Sequence, residues 1–171
     1  MEPKVKEQIA LIENALSRLN WNDNPKSLYD PIEYVLSLGG KRIRPILMFA
    51  TYRLFKEDYE KCLPFAIGME MVHNASLIHD DMPCIDNDDF RHGILTNHKK
   101  FDHATALLAG DMLFNQGYIT ISEDLKNDKE FALKILKINL NAISDFLAKI
   151  IPVYCILSVS ISQFNIFVGC L

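Results

Sequence analysis

Five aspartates fall within ten positions, Asp80, Asp81, Asp86, Asp88 and Asp89, in the run from His79 to Gly93. Carboxylates that close repel one another, and a bound cation is the natural compensation. Oxygen donors without cysteine favour a hard ion such as Mg²⁺. Magnesium held by a few carboxylates fills its octahedron with water and substrate phosphates, so the cluster predicts a phosphorylated ligand as well as a metal. A solvated turn rich in Asp and Asn is the plain alternative. An EF-hand calcium loop is excluded: counted from Asp86, Phe90 and Arg91 stand where that loop needs an oxygen ligand and a glycine.

Periodicity alone does not name the ligands. At about 100° per residue, Asp80 and Asp86 lie about 120° apart on an unbroken helix, whereas Asp81 and Asp88 nearly coincide. Pro83 displaces a carbonyl four residues back, and a local bulge there would turn Asp86 toward Asp80.

A partner for a metal-bound phosphate stands forty residues earlier, in Gly39-Gly40-Lys41-Arg42-Ile43-Arg44-Pro45. Two glycines let a backbone approach an anion closely. Lys41 offers a mobile point charge, Arg44 a planar fork suited to phosphate oxygens, and Pro45 suits the first turn of a following helix. A Gly-Gly turn with solvated basic neighbours is the competing reading. The spacing is not that of a nucleotide P-loop.

Together these motifs resemble the trans-type isoprenyl (polyprenyl) diphosphate synthases, especially the short-chain farnesyl and geranylgeranyl type. The resemblance rests on Gly39 to Pro45, on Met71-Val72-His73, on Ser76-Leu77-Ile78-His79-Asp80-Asp81-Met82-Pro83, and on Asp86 to Arg91. It continues through Thr96-Asn97-His98-Lys99 and Ala104 to Asp111. It implies an all-α helical bundle of the isoprenoid synthase type, of which this chain is the N-terminal portion only. It also implies a part in isoprenoid biosynthesis: head-to-tail condensation of isopentenyl diphosphate with an allylic diphosphate, giving geranylgeranyl or farnesyl diphosphate.

Matched residue by residue, the resemblance makes Asp80 and Asp86 ligands of Mg²⁺, with Asp81 a member of the same catalytic cluster. It gives Lys41, Arg44 and His73 to isopentenyl diphosphate and Arg91 to the allylic diphosphate. The family pattern has Arg-Arg-Gly where this chain has Arg91-His92-Gly93. An imidazole is shorter than a guanidinium and only partly charged at neutral pH, so His92 should bind isopentenyl diphosphate more weakly. His79 and His98 are assigned structural roles. The resemblance also implies a homodimer when full length. In this family, bulk shortly before the first aspartate-rich motif sets product length; Ala75 and Ser76, one turn before Asp80, leave room for growth past fifteen carbons.

Composition agrees with an all-α chain: of 171 residues only seven are Gly and seven Pro. Val5, Ile9, Ile12, Leu16 and Leu19 recur at helical spacing. Further helices are expected after Ser27, Pro45, Glu60, His103 and Asp128, and the stripe Leu107, Leu108, Met112, Leu113, Ile119 reads as core. The net charge of −4 argues against nucleic acid. Four cysteines without metal-site or disulfide spacing fit a reducing compartment. The N-terminus lacks an apolar signal core, so the expected location is cytoplasmic.

Residues 1–149 read as the N-terminal part of a polyprenyl synthase domain and 150–171 as an atypical apolar tail. No charge occurs from Ile150 to Leu171, and the family's Gly-Gly-Gln, Lys-Thr and second aspartate-rich motifs are not found in this sequence. Three readings of the tail stay open: an out-of-frame end, a membrane-associated anchor long enough to span a bilayer, and an unusual soluble segment. Two functional classes follow. One is a C-terminally truncated, impaired prenyltransferase; the other is a non-catalytic partner or membrane-tethered remnant of a full-length synthase.

Overall fold

The structure, a computed structural model, describes residues 3–19, 21, 26–123, 137 and 141. The expected apolar tail, the boundary before it and the helix expected after Asp128 lie outside the described residues. Among the described residues the helices, in order, are α1 (Pro3–Ser17), α2 (Lys26–Ser37), α3 (Ile43–Tyr52), α4 (Leu63–Asp80), the four-residue α5 (Asn97–Lys100) and α6 (His103–Glu123). A short 3-10 turn, Tyr59–Cys62, leads into α4. Among the described residues the only strands are β1 (Phe90–Arg91) and β2 (Ile94–Leu95), an antiparallel pair with Phe90 opposite Leu95 and Arg91 opposite Ile94. His92 and Gly93 between them both have positive φ, as a two-residue type I′ hairpin requires. The all-α expectation is met, and the starts expected after Ser27, Pro45, Glu60 and His103 fall within a few residues of observed ones.

Helix α4 is the hub because it is apolar nearly all round, the pattern of a helix enclosed by others. It buries Phe65, Ile67, Met71, Val72 and Ile78 among others. Each large apolar side chain so enclosed contributes about 1.5–3 kcal/mol. Its main neighbour is α6, with α3 and α1 on other sides. Helix α1 supplies Ile12 and Leu16 to the core, and α2 supplies Ile32 and Leu36.

The α6 stripe needs correction. Leu113 is fully buried, but Leu107, Leu108 and Ile119 are 46%, 56% and 46% exposed. The buried face is Ala106, Ala109, Leu113 and Ile121, joined by Gly110 and Gly117. Small residues face α4 because the two helices approach closely. A Cβ on Gly117 would stand 2.8 Å from the Gly68 carbonyl oxygen, and one on Gly110 would collide with the His79 ring. Side-chain size misled the periodic reading, since close packing put the small residues inside. Among the described residues no helix is long and apolar enough to cross a membrane.

Candidate functional site

The basic loop between α2 and α3 adopts a conformation its residues would not choose unaided. Gly39 has φ 71°, but so, at 47°, does Arg42, which sits in the left-handed region immediately before α3. The Arg42 side chain is 1% exposed and occupied on every edge. Its Nε donates to Glu13 Oε1 at 2.8 Å, its Nη1 to Glu70 Oε1 at 2.9 Å, and its Nη2 to Glu13 Oε2 at 3.3 Å and the Leu36 carbonyl at 3.2 Å. Arg42 thus joins α1, the end of α2 and α4.

Its neighbours are free by contrast. Lys41 is exposed and has no ion pair among the described residues. Arg44 donates from Nη1 to His73 Nε2 at 2.9 Å. A guanidinium only donates, so the acceptor must be the lone pair of a neutral imidazole. Burial first, and the Arg44 charge second, hold the His73 pKa below its ordinary value. Pro45 is buried in the first turn of α3, where its missing N–H leaves no gap.

One face of α4 and its C-cap presents Glu70, His73 and Asp81, three and then eight residues apart, and each meets an arginine. Glu70 takes Arg42, His73 takes Arg44, and Asp81 takes Arg91. Asp81 is buried, and Arg91 donates to its Oδ1 from Nε at 2.8 Å and also from Nη2. Burial pushes the Asp81 pKa up and the Arg91 hydrogen bonds pull it back. Only Arg44 meets an uncharged partner, so Arg44 and Lys41 keep their positive charge for a ligand.

These groups line one cleft of about 430 Å³, walled by the basic loop, α4 and the β1–β2 hairpin. Lys41, Arg44, His73, Arg91 and His92 all open onto it. The five side chains that the sequence suggested for diphosphate binding are therefore brought together.

The aspartates separate into two groups. Helix α4 ends at Asp80, and the chain folds back over that end. The Asp86 N–H donates to the Asp80 carbonyl at 2.9 Å and the Asp88 N–H to the Asp81 carbonyl at 3.2 Å, satisfying helix-end acceptors. This sets Asp86 beside Asp80. The expected re-phasing takes place, but by termination of the helix and not by a bulge within it. Pro83 lies in the turn, since it has no N–H to offer the ladder. Burial raises the Asp80 pKa, and the Asp86 charge raises it further. Among the described residues neither carboxylate has a hydrogen-bonded or ion-paired partner. Asp81, grouped with them from sequence, is instead bound to Arg91, and among the described residues no three His, Cys, Asp or Glu side chains converge as a metal cage.

Sequence reading missed Arg42, Glu13 and Glu70, and also the brace behind the aspartate turn. Thr96 Oγ1 donates to the Asp88 carbonyl at 2.7 Å, and Asn97 Nδ2 to the Pro31 carbonyl at 2.9 Å. His98, buried, shares a 3.2 Å contact between Nδ1 and Thr96 Oγ1. His79 Nε2 lies 3.2 Å from the Leu107 carbonyl, in the notch left by Gly110. Both histidines thus meet groups of the fold itself. Ala75 is fully buried and does not line the cleft, and Ser76 bonds back to the His73 carbonyl at 2.7 Å. Neither opens a volume for a growing chain within this cleft.

Residues 25–147 match the family model described as Polyprenyl synthetase. The chain belongs to the polyprenyl synthetase family. It is 49% identical over 113 residues to a farnesyl diphosphate synthase of Micrococcus luteus, covering 66% of this chain and 38% of that one. It is 45% identical over 124 residues to a farnesyl diphosphate synthase of Geobacillus stearothermophilus, covering 72% and 42%. A geranylgeranyl diphosphate synthase of Cyanophora paradoxa is 44% identical over 121 residues, covering 71% and 40%. This polyprenyl synthetase chain therefore spans about two fifths of the length of the curated relatives it matches. Among solved structures it is similar to an apo FPP/GFPP synthase of Zymomonas mobilis, with a TM-score of 0.71 and 37% identity over 80% of this chain and 52% of that one. An isoprenoid synthase family member from Thermotoga neapolitana aligns with a TM-score of 0.65 at 32% identity, covering 80% and 52%.

Proposed function

We propose that this chain binds isopentenyl diphosphate and an allylic diphosphate and supplies the N-terminal part of a short-chain prenyltransferase site for their head-to-tail condensation. One observation carries the reading: five candidate diphosphate-binding side chains open onto one cleft, which Asp81 also lines, and Asp81 directly follows Asp80, whose carboxyl pKa is pushed up by burial and by the charge of Asp86.

Isopentenyl diphosphate is assigned to the basic wall. Lys41 and Arg44 keep positive charge, and a diphosphate there would gain hydrogen bonds to charged donors. His73 offers its other ring nitrogen, and His92 a weaker contact than an arginine would give. Arg91, oriented by Asp81, is assigned to the allylic diphosphate.

Asp80 and Asp86 fit a Mg²⁺ ion. They are two adjacent carboxylates with no hydrogen-bonded or ion-paired cation among the described residues, and magnesium is commonly held by one or two carboxylates plus substrate phosphates. When bound, Mg²⁺ would neutralise charge on the departing diphosphate. Asp81 is withdrawn from the ligand set because its paired oxygen serves Arg91.

In the condensation the allylic C–O bond breaks and the diphosphate leaves with the electron pair. The isopentenyl double bond then forms the new C–C bond, and loss of a proton restores an alkene. The residues described here hold both diphosphates and steady the leaving group. Homodimerisation belongs to the same proposal, supported by the exposed Leu107, Leu108 and Ile119 on α6.

Calorimetry with inorganic pyrophosphate and Mg²⁺ tests the reading. Asp80→Asn with Asp86→Asn should abolish the metal-dependent part of binding and leave helical content unchanged. Equal metal-dependent binding in wild type and double variant would place the metal elsewhere.

A further inference from the structure

Arg42 sits inside the basic loop yet has no charge to give a ligand. Two carboxylates, Glu13 and Glu70, share its guanidinium, and the Leu36 carbonyl takes a further N–H. Its backbone meanwhile holds a left-handed φ of 47°. A residue with a Cβ is strained in that conformation, so it persists only where the surroundings fix it. The clamp fixes it here. The rungs are neighbours: Glu70 and His73 stand three residues apart on α4, and their partners Arg42 and Arg44 stand two apart in the chain.

We infer that Arg42 is a positioning residue for the anion site, its clamped guanidinium setting the direction in which Lys41 and Arg44 leave the backbone toward the cleft. Released, residue 42 would relax to right-handed φ and rotate both side chains away from α4. Glu13 extends the inference to α1. That helix precedes residue 25, where the family match begins, yet it supplies two of the hydrogen bonds that hold the loop. Helix α1 is thus part of the anion site's support. The anion's identity rests on the function proposed above; the positioning role does not.

The test separates the two. Arg42→Met combined with Glu70→Met replaces a buried ion pair by apolar side chains of similar size, an exchange that often preserves stability, and leaves the half-exposed Glu13 to solvent. Nitrogen-15 NMR of the His73 ring reads the loop directly. Wild type should show the proton on Nδ1, with Nε2 accepting from Arg44. The double variant, at unchanged helical content, should shift the proton toward Nε2. Its affinity for Mg²⁺-pyrophosphate should fall about tenfold, the effect of misplacing a charged hydrogen bond. Glu13→Ala should move both readouts in the same direction, and Glu13→Gln, still an acceptor for Nε, should restore them. If the double variant loses helix, Arg42→Lys carries the same readouts, since an ammonium cannot span three helices.

An unchanged tautomer with unchanged affinity in these variants would overturn the inference. A tautomer shift in a protein that never binds pyrophosphate would uphold the positioning role and sink the functional reading.

Discussion

The basic loop and the aspartate turn are held by different means. The basic loop is fixed by side chains: one arginine reaches three helices, and the loop's strained backbone follows. The aspartate turn is fixed by backbone, with the Asp86 and Asp88 amides on the last carbonyls of α4 and Thr96 bracing the Asp88 carbonyl. A loop with the anion-binding role proposed above cannot spend all its cations on its own architecture: Arg42 is neutralised internally while Lys41 and Arg44 keep their charge. A turn with the proposed cation-binding role has the converse need. Its carboxylates must stay unpaired, so N–H groups hold it and Asp80 and Asp86 remain available.

The largest effect expected from this contrast is at the clamp. Arg42→Ala leaves Glu70 buried without its partner and should cost about 3–5 kcal/mol of stability, the range for breaking a buried pair. Urea unfolding reads this, and a loss under about 1 kcal/mol, the range of a surface ion pair, would mean that the loop is not held by side chains. At the cations that keep their charge the effect falls mainly on binding. Lys41→Ala and Arg44→Ala should each weaken pyrophosphate binding by about 1.5–3 kcal/mol, as for hydrogen bonds to charged groups. Lys41→Ala should leave the unfolding midpoint near wild type, while Arg44→Ala also removes the hydrogen bond to His73.

The Arg44–His73 rung should be sensitive to acid. His73 is held neutral, its folded pKa below the unfolded value of about 6.5. The unfolded chain therefore binds the proton first, and stability is lost as pH falls from about 6.5 toward the folded pKa. The charges facing the ring are Arg44, Glu70, Arg91 and Arg42. Buried His98, also held below its ordinary value, contributes in the same window, so the comparison must be with His73→Gln. That variant accepts from Arg44 without titrating and should lose less stability over the same window; identical pH slopes would remove His73 from the rung. The smallest effect is expected at the hairpin. His92→Arg, at the exposed edge of the cleft, should tighten pyrophosphate binding by a few tenths to about 1 kcal/mol, the range of an exposed ion pair. No gain would place His92 outside the anion's reach.

Much of the site was legible because it is local. Lys41 and Arg44 stand in one heptapeptide, and Asp80 to Arg91 within a dozen residues, so residue type and spacing named them before any packing was known. Helix starts were legible for the same reason, in Pro45 and in the apolar periodicity of α1. Arg42 was harder. Its signal was Glu70, the one acid between Phe65 and Ile78, since a buried carboxylate needs a cationic partner, though nothing local says which arginine supplies it. The α6 stripe failed because large side chains read as core, whereas proximity to α4 selected Ala106, Ala109, Gly110 and Gly117 for the inside.

By itself, then, the sequence determined the chemistry on offer: a basic glycine loop, a carboxylate cluster after an apolar helix, and an all-α chain to carry them. Only the tertiary structure decided which charges are spent and which are free. It paired Asp81 with Arg91, buried Arg42 between Glu13 and Glu70, set Arg44 against a neutral imidazole, and left Lys41, Asp80 and Asp86 without an ion-paired partner among the described residues. Charge pairing depends on distances between residues far apart in the chain, Glu13 from Arg42 or Arg44 from His73, and those distances exist only once α1, α3 and α4 have packed.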